Sequence, residues 1–219
     1  MARPVDPALH DARRSEILDA AARLVGERGY TRVSLQDVLD AVGMSKGSFY
    51  HYFRSKQDIA EALIERAVAP VEEGLRALVA DRALTGSEKL QRHFRGVDAW
   101  KREGGRQAVA LAVAAGGDED LLLHHRLYVA GQERFAPLFA QIVAQGVREG
   151  DFAVEDPEEA ARIVLCLRHD LGRAVVSRLD DPAYVARAAL ATAAAIERVL
   201  GAAPDAIVGP TRAALGQRG

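Results

Sequence analysis

Between Ser34 and Phe53 the chain reads SLQDVLDAVGMSKGSFYHYF, two short amphipathic stretches with a glycine between them. No other part of the sequence restricts the fold so tightly. Leu35, Val38, Leu39 and Val42 recur at i, i+3, i+4 and i+7, which is one apolar face of a helix. Ser34 stands just before that face, where its hydroxyl can accept a bond from the free amide of Asp37. Gly43 stands just after it, where helices commonly end in a left-handed residue. Met44 spans the turn, and Ser45 can cap a second helix that begins at Lys46. Helix, glycine turn and helix in this spacing predict a helix-turn-helix.

The second of the two helices points to a function. Phe49 and Phe53 are placed to enter a small core together, one helical turn apart. Lys46, Gly47, Ser48, Tyr50, His51 and Tyr52 are left to the remaining surface. A cation, hydroxyls, phenols and an imidazole on one helix suit phosphate oxygens and base edges in a major groove. Gly47, lacking a side chain, lets the backbone come close to a sugar–phosphate chain. The plainer alternative is a solvated helix that buries two phenylalanines.

Composition sets the limits around this motif. At 219 residues, 49% hydrophobic and 27% charged, the chain is expected to be a soluble globular protein of one or two domains. No apolar run approaches the roughly 20 residues of a membrane span, so no membrane partner is expected. The opening MARPVDPALHDARR offers no apolar stretch for a signal peptide. The single Cys166 cannot form an internal disulfide, which fits a reducing, cytoplasmic location. A net charge of −2 excludes bulk attraction to nucleic acid, so any DNA-binding cations must be gathered locally. Residues 1–56 hold nine basic against seven acidic side chains, a slight excess in the right place. Affinity would have to come from placement and from two copies.

The rest of the chain reads as helices, with no strand pattern and no internal repeat. Residues 1–9, with Pro4 and Pro7, suggest a mobile arm. A first helix from about Asp11 to Arg28 would brace the helix-turn-helix, and Gly29 would stop it. Ser55 caps a fourth helix, in which Pro70 is expected to cause a kink or an end. Further helices are expected from Ser87 to the glycines of KREGGR, over Gln107–Ala115, from about Glu119 to Arg148, from Pro157 to about Leu179 and from Pro182 to about Leu200. The predicted class is all-α: residues 1–56 a three-helix DNA-binding domain, 57–200 a helical bundle, and 201–219 a loose tail with room for a short helical piece.

From Ile17 to about Ile64 the sequence resembles the DNA-binding domain of the TetR (tetracycline-repressor) family of regulators. The residues that carry the resemblance are ILDAAARLVGERGY and SLQDVLDAVGMSKGSFYHYFRSKQDIAEALIER. Gly43, Ser45, Lys46, Gly47, Phe49, Tyr50, Tyr52, Phe53, Ser55 and Lys56 form a specific combination within them. The resemblance implies a repressor that binds a palindromic, double-stranded DNA operator as a homodimer and is released by a small-molecule effector. It implies phosphate contacts from Thr31, Ser34, Ser45, Tyr50, His51 and Lys56, and approach to bases by Gln36, Lys46, Gly47, Ser48 and Tyr52. By the same resemblance residues 57–200 serve effector binding and dimerisation, and the middle helices should enclose the effector, for which Phe94, Trp100, His125, Tyr128, Cys166 and His169 are candidate lining residues. Each of those six can equally be ordinary core or surface. No cofactor and no metal is implied.

The rival from another class is a small cytoplasmic enzyme using Cys166 and His169, which stand three apart on one helix in CLRHD. No third, orienting group stands at an evident spacing. Adjacent His124 and His125 point about 100° apart on a helix, so they do not converge on a metal.

Overall fold

The computed structural model describes residues 7–103, 121–176, 178 and 180–216, and omits the side chains of 97–103, 121–124, 173 and 176. Among the described residues there are nine helices and no strand. They are α1 (Pro7–Arg28), α2 (Leu35–Val42), α3 (Lys46–Phe49), α4 (Lys56–Ala80), α5 (Gly86–Glu103), α6 (Leu121–Glu149), α7 (Pro157–Val176), α8 (Pro182–Leu200) and α9 (Val208–Gly216). The helix expected over Gln107–Ala115 lies outside the described residues. The described chain falls into two compact units, 7–68 with 121–127, and 69–103 with 128–216. The first unit therefore ends inside α4 and not ahead of it.

In the first unit, Ile17, Leu24, Val38, Leu39, Phe49, Phe53, Ile59 and Leu63 close one apolar core from α1, α2, α3 and the start of α4. Helix α1 begins at Pro7, earlier than Asp11, because proline is compatible with the first helical turn. Ser34 and Asp37 form a reciprocal capping box at the start of α2. Gly43 ends α2 at φ 60° and ψ 40°, and Met44 donates back to the Leu39 carbonyl. These two caps fix the length of α2 and the direction in which α3 leaves it.

In the second unit, Leu75, Leu90, Phe139, Ile142, Val143, Val164, Ile196 and Leu200 are fully buried together. Helices α7 and α8 pack on each other, and α9 packs on α8. Helix α4 runs as one element through Pro70, and α6 likewise through Pro137, so Pro70 does not end its helix as the sequence had allowed. The tail carries the short helix α9, whose start is held in place. The Glu197 carboxylate accepts from the amides of Ile207 and Val208 at 2.8 Å, satisfying the first N–H groups of α9. The Gln91 amide holds the Ala206 carbonyl at 2.9 Å, and Ile207 is buried. A carboxylate at the start of a helix also suits its dipole. Among the described residues no helix is long and apolar enough to cross a membrane.

Candidate nucleic-acid interface and effector site

Helix α3 is built locally. Ser45, at φ −70° and ψ 151°, caps it by accepting from the Ser48 amide at 3.3 Å, and its hydroxyl lies 3.0 Å from the Ser48 hydroxyl. The amides of Phe49 and Tyr50 then bond four residues back, to the carbonyls of Ser45 and Lys46. Beyond them the chain tightens, with His51 bonding to Ser48 at 3.3 Å and Tyr52 to Phe49 at 2.8 Å, both three residues back. The expected helix from Lys46 to Tyr52 is therefore one α-helical turn extended by a tighter one. Phe49 and Phe53 are 0% and 3% exposed, with ring centroids 5.9 Å apart, and they anchor the segment in the first core.

This anchoring turns the polar side outward. Ser45, Lys46, Gly47, Ser48, Tyr50 and His51 are exposed, as are Thr31, Ser34 and Gln36. Several of these side chains already have partners. The Ser34 hydroxyl is held by Asp37, whose carboxyl lies below the ordinary carboxylate range because the Ser34 hydroxyl and amide both bond to it, with help from Arg28. The Gln36 amide donates to the Asp40 carboxylate at 2.7 Å. Lys56 and Tyr52 are half-buried. The Lys56 ammonium sits 4.3 Å from the centre of the Tyr30 ring and donates to the Thr31 carbonyl at 3.4 Å. The Tyr52 ring is stacked on the His10 imidazole at 4.7 Å. Sequence reasoning missed His10, which carries no motif and lies ahead of the apolar face of α1.

The proposed effector residues are only partly assembled. Tyr128, Cys166 and His169 do meet: the Tyr128 hydroxyl lies 3.1 Å from the Cys166 sulfur, and its ring lies 4.7 Å from the His169 ring. Gln132, one turn after Tyr128 on α6, joins them by donating to the Cys166 sulfur at 3.5 Å. Its spacing from Tyr128 was the signal that could have found it. The neighbouring sulfur, and burial after it, push the Tyr128 hydroxyl above its ordinary pKa. Phe94 packs against the second core, and the Arg168 guanidinium lies 4.6 Å from the centre of its ring. His125 is exposed, and the side chain of Trp100 lies outside the described residues. The thiol's hydrogen-bond partners are thus a phenol and an amide, and the His169 ring lies against that phenol. Among the described residues no group of three or more His, Cys, Asp or Glu could hold a metal ion.

Comparison with known proteins agrees with this architecture from both ends of the chain. The family described as bacterial regulatory proteins, tetR family, matches residues 17–63, and the tetracyclin repressor-like C-terminal domain matches residues 115–173. The HTH-type transcriptional repressor KstR2 of Rhodococcus jostii is 26% identical over 161 residues, 71% of this chain and 76% of that protein. The HTH-type transcriptional repressor NemR of Escherichia coli is 39% identical over 70 residues, 32% of this chain and only 35% of that protein. The structure of SmeT, the repressor of the Stenotrophomonas maltophilia multidrug efflux pump SmeDEF, superposes with a TM-score of 0.68 at 18% identity. That superposition covers 88% of this chain and 92% of SmeT, a likeness of fold. With a helix-turn-helix whose second helix is anchored by Phe49 and Phe53, and with both family domains matched in order, the chain belongs to the TetR family of DNA-binding transcriptional regulators.

Proposed function

We propose that this regulator is a cytoplasmic repressor that binds an inverted-repeat operator as a homodimer and leaves it when a small molecule binds the second unit. The observation that carries the DNA-binding part is the outward row of Ser45, Lys46, Gly47, Ser48, Tyr50 and His51 over a pair of buried phenylalanines. In this reading Thr31, Ser34, Ser45, Tyr50, His51 and Lys56 hold phosphates, while Gln36, Lys46, Gly47, Ser48 and Tyr52 approach bases. Gln36 must exchange its bond to Asp40 for one to a base, a transfer between two surface hydrogen bonds of similar worth. Repression is supported by the names of KstR2 and NemR.

One short recognition element reads few base pairs, so a two-fold pair is needed for useful discrimination. Ile163, 46% exposed on α7, and the alanine-rich α8 support a contact between copies. The effector is an apolar or modestly polar molecule that meets Tyr128, Gln132, Cys166 and His169, with Phe94 as a further lining candidate. It must favour one arrangement of the dimer over the other, because equal binding to both shifts nothing. Selection from a random duplex pool with the full chain should enrich a two-fold symmetric site, and sedimentation should show a dimer at micromolar concentration. An enriched site without symmetry, or a stable monomer, would overturn the dimeric reading.

A further inference from the structure

The tight turn after α3 is too short to hold its own orientation. Only Lys46–Phe49 is α-helical, and Tyr52 hangs on a bond three residues back. A single turn of helix is marginal in isolation, so its exit must be set from outside. Three side chains of α1, all ahead of residue 17 where the family match begins, reach the helix-turn-helix. The His10 ring stacks on Tyr52 at 4.7 Å with the planes 23° apart. The Arg13 guanidinium donates to the Val42 carbonyl at 3.1 Å, one of the carbonyls that α2 leaves without a helical partner at its end. The Arg14 guanidinium lies 4.9 Å from the centre of the Phe53 ring. Positions 10, 13 and 14 share one face of α1.

We infer that His10 is a positioning residue for DNA recognition: its stack on Tyr52 presets the end of the recognition segment, while Arg13 fixes the end of α2. The inference rests on the reading that Tyr52 approaches bases. Its physical content is preorganisation. Without the imidazole the Tyr52 ring samples other rotamers, the binding-competent fraction falls, and the apparent dissociation constant rises in proportion. An aromatic pair of this geometry has a coupling equivalent to about 2- to 12-fold in an equilibrium constant. Random duplex, held through phosphates, does not need Tyr52 in one orientation.

The test uses the full chain, the duplex enriched by the wild-type protein, and a random duplex of equal length. His10→Ala should weaken binding to the enriched duplex by about 2- to 12-fold per protomer and leave random duplex unchanged. His10→Phe, which keeps a flat ring, should restore wild-type affinity. In a Tyr52→Ala background, His10→Ala should have no further effect on the enriched duplex. Equal binding by wild type and His10→Ala overturns the inference, as does failure of His10→Phe to restore binding. Loss of both duplexes together with a lowered thermal midpoint overturns it too, and assigns His10 to stability alone. If the wild-type chain enriches no duplex, the DNA-binding reading falls first and this inference with it.

Discussion

The ammonium of Lys89 lies 2.7 Å from the side-chain oxygen of Gln145 in the second unit, and Lys89 is only 3% exposed. The same ammonium donates to the Val79 carbonyl at 2.9 Å. Gln145 in turn donates to the Leu84 carbonyl at 2.9 Å and to the Glu149 carboxylate at 2.6 Å, and that carboxylate accepts the Gly86 amide at 2.7 Å. A closed polar chain thus ties the end of α4 and the first turn of α5 to α6. Glu149 is exposed, but at the buried Lys89 end such a chain is strong only while every member is paired. Gln145→Leu leaves the ammonium and the Leu84 carbonyl both short of a partner, and should lower stability by about 2–3 kcal/mol in denaturant unfolding. Lys89→Met, which removes the charge with the donor, should cost less.

Two glycines in this region matter for space, and one in the first unit matters for backbone angle. A Cβ on Gly86 would lie 2.5 Å from the Gly146 nitrogen, and one on Gly146 would lie 2.2 Å from the buried Phe152 ring. Either glycine changed to alanine should destabilise by about 1–3 kcal/mol through overpacking. Gly43 has open space around it but sits at φ +60°. Gly43→Ala should therefore cost about 1 kcal/mol from the left-handed backbone alone, and Gly43→Asn distinctly less. Thermal unfolding of the four variants separates the two causes.

Acid sensitivity should appear at the start of α2. The Ser34 hydroxyl and amide hold the Asp37 carboxyl below its ordinary value of 3.8. A carboxyl lowered on folding adds stability that is fully present above its unfolded pKa and is lost as pH falls through the folded one. The thermal midpoint of Asp37→Asn should therefore lie furthest below wild type above about pH 5 and converge on it in stronger acid. A difference that stays constant down to pH 2 would show that the carboxylate adds nothing as an anion.

The two kinds of DNA contact should separate in binding measurements. Lys56→Ala should weaken enriched and random duplexes alike, and lower the slope of log K against log salt by about 0.9 per protomer. Gln36→Ala should cost about 1–3 kcal/mol on the enriched duplex and nothing on random duplex. Equal losses on both duplexes from both variants would remove this division of roles.

The helix-turn-helix was legible residue by residue because its signals are local. Ser34, Gly43 and Ser45 act on amides and carbonyls within four residues of themselves, and Phe49 and Phe53 are one turn apart. The effector residues were less legible. Of Phe94, Trp100, His125, Tyr128, Cys166 and His169, only Tyr128, Cys166 and His169 are in mutual contact through described side chains, and Gln132 joins them from outside the predicted set. Chemical type singled those residues out, but no sequence pattern says where two helices cross. The tail was expected to be loose around a short helical piece because Pro204, Gly209 and Pro210 interrupt it, and Glu197 could not be seen as the acceptor that starts α9.

By itself, then, the sequence determined the number and span of most helices, the caps that end them and the face of the recognition segment that must be buried. Those follow from bonds and periodicities closed within a turn or two of one chain segment. Tertiary structure alone decided that Tyr52 lies against His10, that Lys89 is buried on Gln145 and that the last helix is folded back. Each of those depends on which distant groups packing brings within hydrogen-bond or ring-stacking range, and a single polar residue looks the same in sequence whether water or a partner will satisfy it.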